Sequence, residues 1–229
     1  MRILAFDTST DWLTVAVGDG QAWDSHAERA AQANSERILP TIDAMLDRAG
    51  WRLADLDGIA FGAGPGAFTG VRIACGVAQG LAFGSQLPVV AIPSLLALAQ
   101  QGWRERAARR VFACLDARMR EVYVAFYARD NDVWRTVREP AVVKPAAVDL
   151  PEGRWDGEGD GFAAYPELAT LANVERANAA AVPHARDIGD LALPLFERGE
   201  GVSADHALPL YVRHRVALTT SERDAGLRL

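Results

Sequence analysis

The chain has 229 residues, is half apolar and 24% charged, and carries a formal net charge of −6. A chain of this length and balance buries enough surface to fold without staples, which excludes disorder as the main state, and two cysteines, Cys75 and Cys114, exclude a disulfide scaffold. The acidic balance, with a pI near 5.3, excludes a broad non-specific nucleic-acid coat but leaves a local basic patch open.

Residues 2–7 read as a β-rich run that ends at the polar turn Asp7-Thr8-Ser9-Thr10-Asp11. Residues 12–17 alternate as a second strand, closed by Gly18-Asp19-Gly20, and residues 21–27 follow as a third. Asn34 or Ser35 is a suitable helix cap. Behind it Ile38, Leu39, Ile42, Leu46 and Ala49 recur at helical spacing with Met45 beside them, and Gly50 ends the helix. Residues 58–63 form a short strand, Gly64-Pro65-Gly66 a turn, residues 68–85 a helix that is apolar almost all round, and residues 89–92 a strand. Ser94 then caps a helix to about residue 100. The order β-β-β-α-β-α-β-α predicts an antiparallel meander continued by parallel strands under helices.

The second half repeats the opening. A strand over residues 111–115 ends at Asp116 as the first ends at Asp7, and residues 121–127 and 133–142 supply the next two strands. Beyond that the pattern gives helices near 145–150, 162–172 and 186–198 and a strand near 155–160. The fold class is therefore a duplicated α/β unit. Its lobes are expected at 1–102 and 103–229, with Asp7 and Asp116 facing one cleft. The last helix can pack back on the first lobe, and the polar tail from about residue 218 is expected to fray. Between residues 58 and 103 Arg72 is the only charge, but glycines and prolines cut that stretch into pieces shorter than the roughly 20 apolar residues a membrane span needs. The opening apolar run is too short for a signal segment, and two lone thiols fit a reducing cytoplasm.

Several patterns have a chemical and a plain reading. Asp7, Thr8 and Ser9 at a strand end suit a metal-bound phosphate, or a turn whose side chains bond their own backbone. Gly62, Gly64 and Ala67 satisfy G-x-G-x-x-A between a strand and a helix, and with Gly66 could receive a phosphate. No acidic residue stands between Asp57 and Glu105 to hold a ribose, no G-K-[ST] follows, and a tight turn explains the same glycines. Gly76, Gly80 and Gly84 fall four apart beside an aliphatic stripe of Ile73, Val77 and Leu81. Such a helix is either buried on all sides or meets another protein through its smooth face. Asp116-Ala117-Arg118 lacks the glycines of a second phosphate turn, so an Arg118 ion pair is its plain reading. Residues 104–110 are locally basic and could touch RNA phosphates or form a solvated linker helix. His26, His184, His206 and His214 stand at no zinc-ligand spacing, and no G-x-S-x-G occurs. From the residues alone no catalytic set and no metal site assembles.

Taken together, Met1-Arg2-Ile3-Leu4-Ala5-Phe6-Asp7-Thr8-Ser9-Thr10, Asn34-Ser35-Glu36 before Leu39-Pro40, Gly64-Pro65-Gly66-Ala67-Phe68-Thr69-Gly70-Val71-Arg72-Ile73, Asp116-Ala117-Arg118 with Glu121-Val122-Tyr123, and Pro209-Leu210-Tyr211-Val212-Arg213 resemble the bacterial TsaB family, also called YeaZ. The match runs to about residue 217 and is loosest over 140–205. Family members commonly carry His where Asn34 stands. The resemblance implies two ribonuclease H-like lobes of the actin/Hsp70/sugar-kinase (ASKHA) superfamily, with mixed sheets flanked by helices. It implies a non-catalytic subunit for making N6-threonylcarbamoyladenosine in tRNA. Its direct partner would be TsaD, which makes the transfer and holds a metal with a His-x-x-x-His pair. The ATPase TsaE would join them, and ATP or ADP would bind only at the partner interface.

By the same resemblance the partner surface lies on the first two helices, mapped here to Ile38, Leu39, Ile42, Met45, Arg72, Ile73, Gly76 and Gly80; the spacing of the second helix adds the expectation of a glycine ridge outward and an aliphatic stripe inward. An isolated chain is expected to self-dimerise through it. Asp7, Thr8, Ser9, Gly64, Gly66 and Asp116 would be vestigial phosphate turns. The alternatives are a phosphotransferase or ATPase of the same fold, and a metallopeptidase, for which no histidine pair is present.

Overall fold

The computed structural model describes residues 1–213. The first sheet has the order β3-β2-β1-β4-β5, from strands Ile3–Asp7 (β1), Trp12–Gly18 (β2), Trp23–Arg29 (β3), Gly58–Gly62 (β4) and Val89–Ile92 (β5). The second has the order β10-β9-β6-β7-β8, from Arg110–Asp116 (β6), Val122–Asp130 (β7), Val133–Val143 (β8), Trp155–Glu158 (β9) and Val174–Asn178 (β10). In each, the first two pairings of the meander are antiparallel and the next two are parallel. The two sheets are one topology used twice. The matching positions of Asp7 and Asp116 follow from it, because β1 and β6 occupy the same place.

Side chains alternate across β1. Leu4 and Phe6 face one core with helices Asn34–Ala49 (α1) and Phe68–Ser85 (α2), while Ile3 and Ala5 face another with helix Ala185–Glu197 (α5). Both faces are covered, which is why β1 reads as a continuous apolar run. Helix Ser94–Arg106 (α3) sends Leu95, Leu98 and Ala99 onto the second sheet. The opposite face of that sheet packs Phe112, Phe126 and Trp155 with Phe162 of the short helix Gly161–Ala164 (α4). Thus α3, from the first half, covers the second sheet, and α5, from the second half, covers the first. Arg104 of α3 clamps Asp187 of α5 through Nε at 2.8 Å and Nη2 at 2.9 Å. Arg106 pairs with the buried Glu158 of β9.

Several local expectations are corrected. A lobe boundary at 102/103 falls inside α3, because the helix continues to Arg106. The basic run is therefore the end of α3 and the start of β6, not a linker helix. Neither Asn34 nor Ser94 is a cap: the cap positions are Ala33 and Pro93, and both polar side chains are used elsewhere. Residues 145–150 hold only a 3-10 turn at Pro145–Ala147, and 162–172 splits into α4 and a 3-10 turn at Pro166–Thr170. Strand β10 was not anticipated. Its side chains are half-buried or exposed, so no apolar alternation marks it. The tail from about residue 218 lies outside the described residues.

Candidate functional site

The turn after β1 is built inward. Asp7 is 1% exposed, and its Oδ1 accepts from the Ser9 N–H at 2.7 Å and the Ser9 hydroxyl at 2.8 Å. Its Oδ2 accepts from the Ser94 hydroxyl at 3.0 Å. Burial raises the Asp7 carboxyl from 3.8 to about 6 despite these hydrogen bonds. Ser94 also accepts the Gly64 N–H at 3.1 Å, so it ties the glycine loop to the Asp7 turn. The Thr8 hydroxyl donates to Gly70 O at 2.7 Å, and the Ala67 N–H donates to Ser9 O at 2.7 Å. The Asn34 amide donates to Thr10 O at 3.3 Å and fixes the start of α1 on the same turn.

The glycines follow from this approach. A Cβ at Gly62 would collide with the Asp7 carboxylate, at Gly66 with Ser9 O, and at Gly70 with Thr8 O. They exist so that the loop and the helix start can lie against the β1 turn. The N–H groups of Ala63, Gly64 and Ala67 are consumed within the chain, and Pro65 has none. Those four positions therefore offer a phosphate no donor.

Asp116 sits differently. Its Oδ1 accepts the Arg118 N–H at 2.9 Å, and its Oδ2 faces the Arg118 guanidinium at 3.0 Å, the ion pair of the plain reading. Its own N–H donates to Asp160 Oδ1 at 3.0 Å. Burial raises the Asp160 carboxyl. Arg118, Met119 and Arg120 all have φ between 55° and 60°, a left-handed turn of three non-glycine residues. Between the lobes lies a cleft of about 500 Å³, reached by Ser9, Thr10, Gly66, Asp116 and Asp160 but not by Asp7. With Asp7 sealed on one side and Asp116 paired with Arg118 on the other, the residues do not fit a metal-bound nucleotide phosphate held between them.

The segment after Ala207 crosses the cleft mouth. The Leu210 N–H donates to Ala63 O at 2.8 Å, and Arg213 reaches Ala117 O at 3.1 Å and Glu121 Oε2 at 2.6 Å. Arg72 lies 3.3 Å over Phe68 and 4.7 Å from the Tyr211 ring centroid. Asp160, Ser94 and Tyr211 were missed in the sequence. Asp160 was findable, since the repeat places the loop after β9 against the β6 turn as the loop after β4 lies against β1.

On the outer side of α2, Gly76, Gly80 and Gly84 are exposed, and a Cβ at each would meet nothing within 4 Å. Phe83 beside them is 82% exposed. The inward face is Val71, Ala74, Cys75, Ala78 and Ala82, with Ile73, Val77 and Leu81 half-buried against the same core. The helix is thus not buried all round. Of the α1 residues assigned to a partner surface, Ile38, Ile42 and Met45 are corrected. They are 1%, 1% and 2% exposed and fill the core, because the helical stripe that marked them is the stripe facing the sheet. Leu39, at 47% exposed, faces outward.

No group of three or more metal-ligating side chains occurs among the described residues. Burial raises the thiols of Cys75 and Cys114, which weakens both as nucleophiles. The Ser203 hydroxyl contacts Asp205 at 2.6 Å and His206 Nδ1 at 2.9 Å. Both groups touch the hydroxyl itself within one exposed turn, so Asp205 does not orient His206 behind it and the three form no relay.

The family model for TsaD, described as tRNA N6-adenosine threonylcarbamoyltransferase, matches residues 26–182. The tRNA threonylcarbamoyladenosine biosynthesis protein TsaB of Escherichia coli strain K12 is 40% identical over 223 residues, 95% of this chain and 96% of that one. The protein of the same name from Haemophilus influenzae is 37% identical over 226 residues, 94% of this chain and 95% of its own. The solved structure of YeaZ from Pseudomonas aeruginosa has a TM-score of 0.86 at 44% identity and covers 92% of this chain and 99% of that chain. The duplicated lobes are those of the ASKHA class, and with identity of this order along nearly its whole length the chain belongs to the TsaB (YeaZ) family, whose named members are tRNA threonylcarbamoyladenosine biosynthesis proteins.

Proposed function

We propose that the chain is the non-catalytic subunit that binds and activates TsaD for threonylcarbamoyl transfer to tRNA, with TsaE joining the assembly. The observation that carries this reading is the outer face of α2. Three glycines in a row at one-turn spacing stand in open space beside an 82% exposed Phe83. Glycine in an exposed helix interior is unfavourable by about 1 kcal/mol relative to alanine, and a ridge of small residues lets another helix approach closely. A close-packed helical partner, TsaD or in its absence a second copy of this chain, gives that composition a use. Phe68 and Arg72 precede the glycines at the same four-residue spacing and, with the exposed Leu39 of α1, would form its margin.

The sealed Asp7 and the absence of a nucleophile–base pair among the described residues favour a partner over an enzyme. ATP or ADP would then bind at the partner interface and not between Asp7 and Asp116. No helix among the described residues is long and apolar enough to cross a membrane, and we place the protein in the cytoplasm with the tRNA it serves. The test is reconstitution: TsaD, TsaE, ATP, threonylcarbamoyl-adenylate and unmodified tRNA, with and without this chain. Transfer that requires the chain, with none from the chain alone, is expected. Transfer indifferent to it would remove the reading.

A further inference from the structure

The far rim of the second sheet carries a concentration of arginines that the partner role does not use. A groove of about 480 Å³ there is lined by Arg109, Arg110, Arg129 and Arg135, with Asp130 the one carboxylate among its lining residues. Strand register builds it. Arg110 pairs with Ala128 and Ala128 pairs with Arg135, so two arginines flank a small, 4% exposed residue in one row across three strands. One residue on, the Arg129 N–H donates to Arg109 O at 2.8 Å.

The guanidinium groups are held in place. Arg109 and Arg129 lie 4.9 and 4.7 Å from the Trp103 ring centroid. Arg129 also lies 5.5 Å over Trp134, and Arg110 lies 4.3 Å over Trp155. Gln100 Oε1 accepts from Trp134 Nε1 at 2.8 Å and from Arg129 at 3.3 Å, which locks the stack. Two like charges therefore share one indole. Their nearest counter-ions are weak: Asp132 is 3.7 Å from Arg129 and 80% exposed, and Asp130 is 3.4 Å from Arg135 and 65% exposed. Exposed pairs of this kind are worth about 1 kcal/mol or less and exchange readily for a better anion. Among the described residues neither Arg109 nor Arg110 has a carboxylate within ion-pair distance.

We propose that this rim binds the phosphodiester backbone of RNA. It is a local excess of positive charge on a chain of net −6. Pre-ordered guanidinium forks match phosphate oxygens, and an open groove suits a continuous polyanion better than a single free ion. The indole rings are committed to arginines, so contact is to the backbone and is independent of base sequence. A lipid surface would want large apolar side chains beside the arginines, and the β7–β8 hairpin exposes Val133 alone. The substrate class rests on the reading above, in which the assembly works on tRNA.

The test is the double variant Arg109→Glu/Arg135→Glu in the full chain. Both side chains are exposed, so the fold is kept. In the reconstituted transfer reaction the KM for tRNA should rise about tenfold with kcat unchanged, and the log–log salt dependence of tRNA binding should flatten by roughly 1 to 2. Arg109→Lys/Arg135→Lys should raise KM less than the Glu pair does, since it keeps the charge and gives up only the planar fork. An unchanged KM and salt slope would overturn the proposal while leaving the partner reading intact. Loss of binding to phosphatidylglycerol vesicles with tRNA binding unaltered would overturn it in favour of a lipid site. If transfer proves indifferent to the chain, the partner reading fails by itself. Binding of tRNA to the isolated parent and variant then decides the rim: a flattened slope supports it, and equal slopes overturn it.

Discussion

Replacing Gly80 by leucine separates the outer face of α2 from the fold beneath it. A Cβ at Gly80 meets nothing within 4 Å, and the position is exposed on a helix of 18 residues. Within the isolated chain the substitution removes the entropic cost of an interior helical glycine, so stability should rise by roughly 0.5–1 kcal/mol. For a chain of this size that is a Tm increase of about 2–3 °C. In a close-packed helical interface the same side chain has no space. Overpacking of that kind costs about 3 kcal/mol where backbones cannot separate, on the order of a hundredfold in Kd. Thermal unfolding at low protein concentration and titration against TsaD read the two effects separately, and the mass of the isolated chain in solution reads self-association. The reasoning fails if Gly80→Leu lowers Tm by more than about 2 °C, since the ridge would then face packed atoms. It fails equally if TsaD affinity and self-association are unchanged.

The opposite sign is expected ten residues earlier in the same helix: Gly70→Ala drives a Cβ into Thr8 O and should destabilise by at least about 3 kcal/mol in urea unfolding, whereas Gly76→Ala should stabilise. Asp7 titrates between 3.8 in the unfolded chain and about 6 in the fold, so the folded state holds the extra proton in that window. Stability should therefore fall as pH rises from about 4 to about 6, by on the order of 2–3 kcal/mol. Asp7→Asn, which keeps an acceptor for Ser9, should flatten that stretch of the stability–pH profile. Asp187→Ala leaves Arg104 without its bidentate partner and should cost about 3 kcal/mol, while Arg104→Met with Asp187→Leu should recover most of the loss in chemical denaturation.

The lobes were legible because the repeat is written in strand order and in the position of Asp7 and Asp116. Helices α1 and α2 were legible because their apolar spacing is long and regular. The same regularity misled the choice of surface: Ile38, Ile42 and Met45 recur at helical spacing because they meet the sheet, and an outward-facing position such as Gly80 shows only as a missing side chain. In sequence the glycine loop reads either as a phosphate loop or as a tight turn, because what its residues answer to is the backbone of Thr8 and Ser9, a contact 62 residues away in the case of Thr8 and Gly70. Ser94 was assigned to a cap because local pattern cannot reveal a partner at Asp7, 87 residues distant. The arginine rim was visible only as the run near 104–110. Arg129 and Arg135 join it through strand pairing that no local window contains.

The exchange of covering helices between the two halves has a consequence for how the chain is made. Strand β5, which completes the first sheet, ends at Ile92, but α5, which covers one face of that sheet, ends only at Glu197. At synthesis rates of about 5–20 residues per second, the nascent sheet spends on the order of 5–20 s with Ile3, Ala5 and Ala60 open to solvent or to a chaperone. Early release or a stall in that interval strands a half-covered sheet, so the two halves reach the native state as one translation product and not as separable pieces.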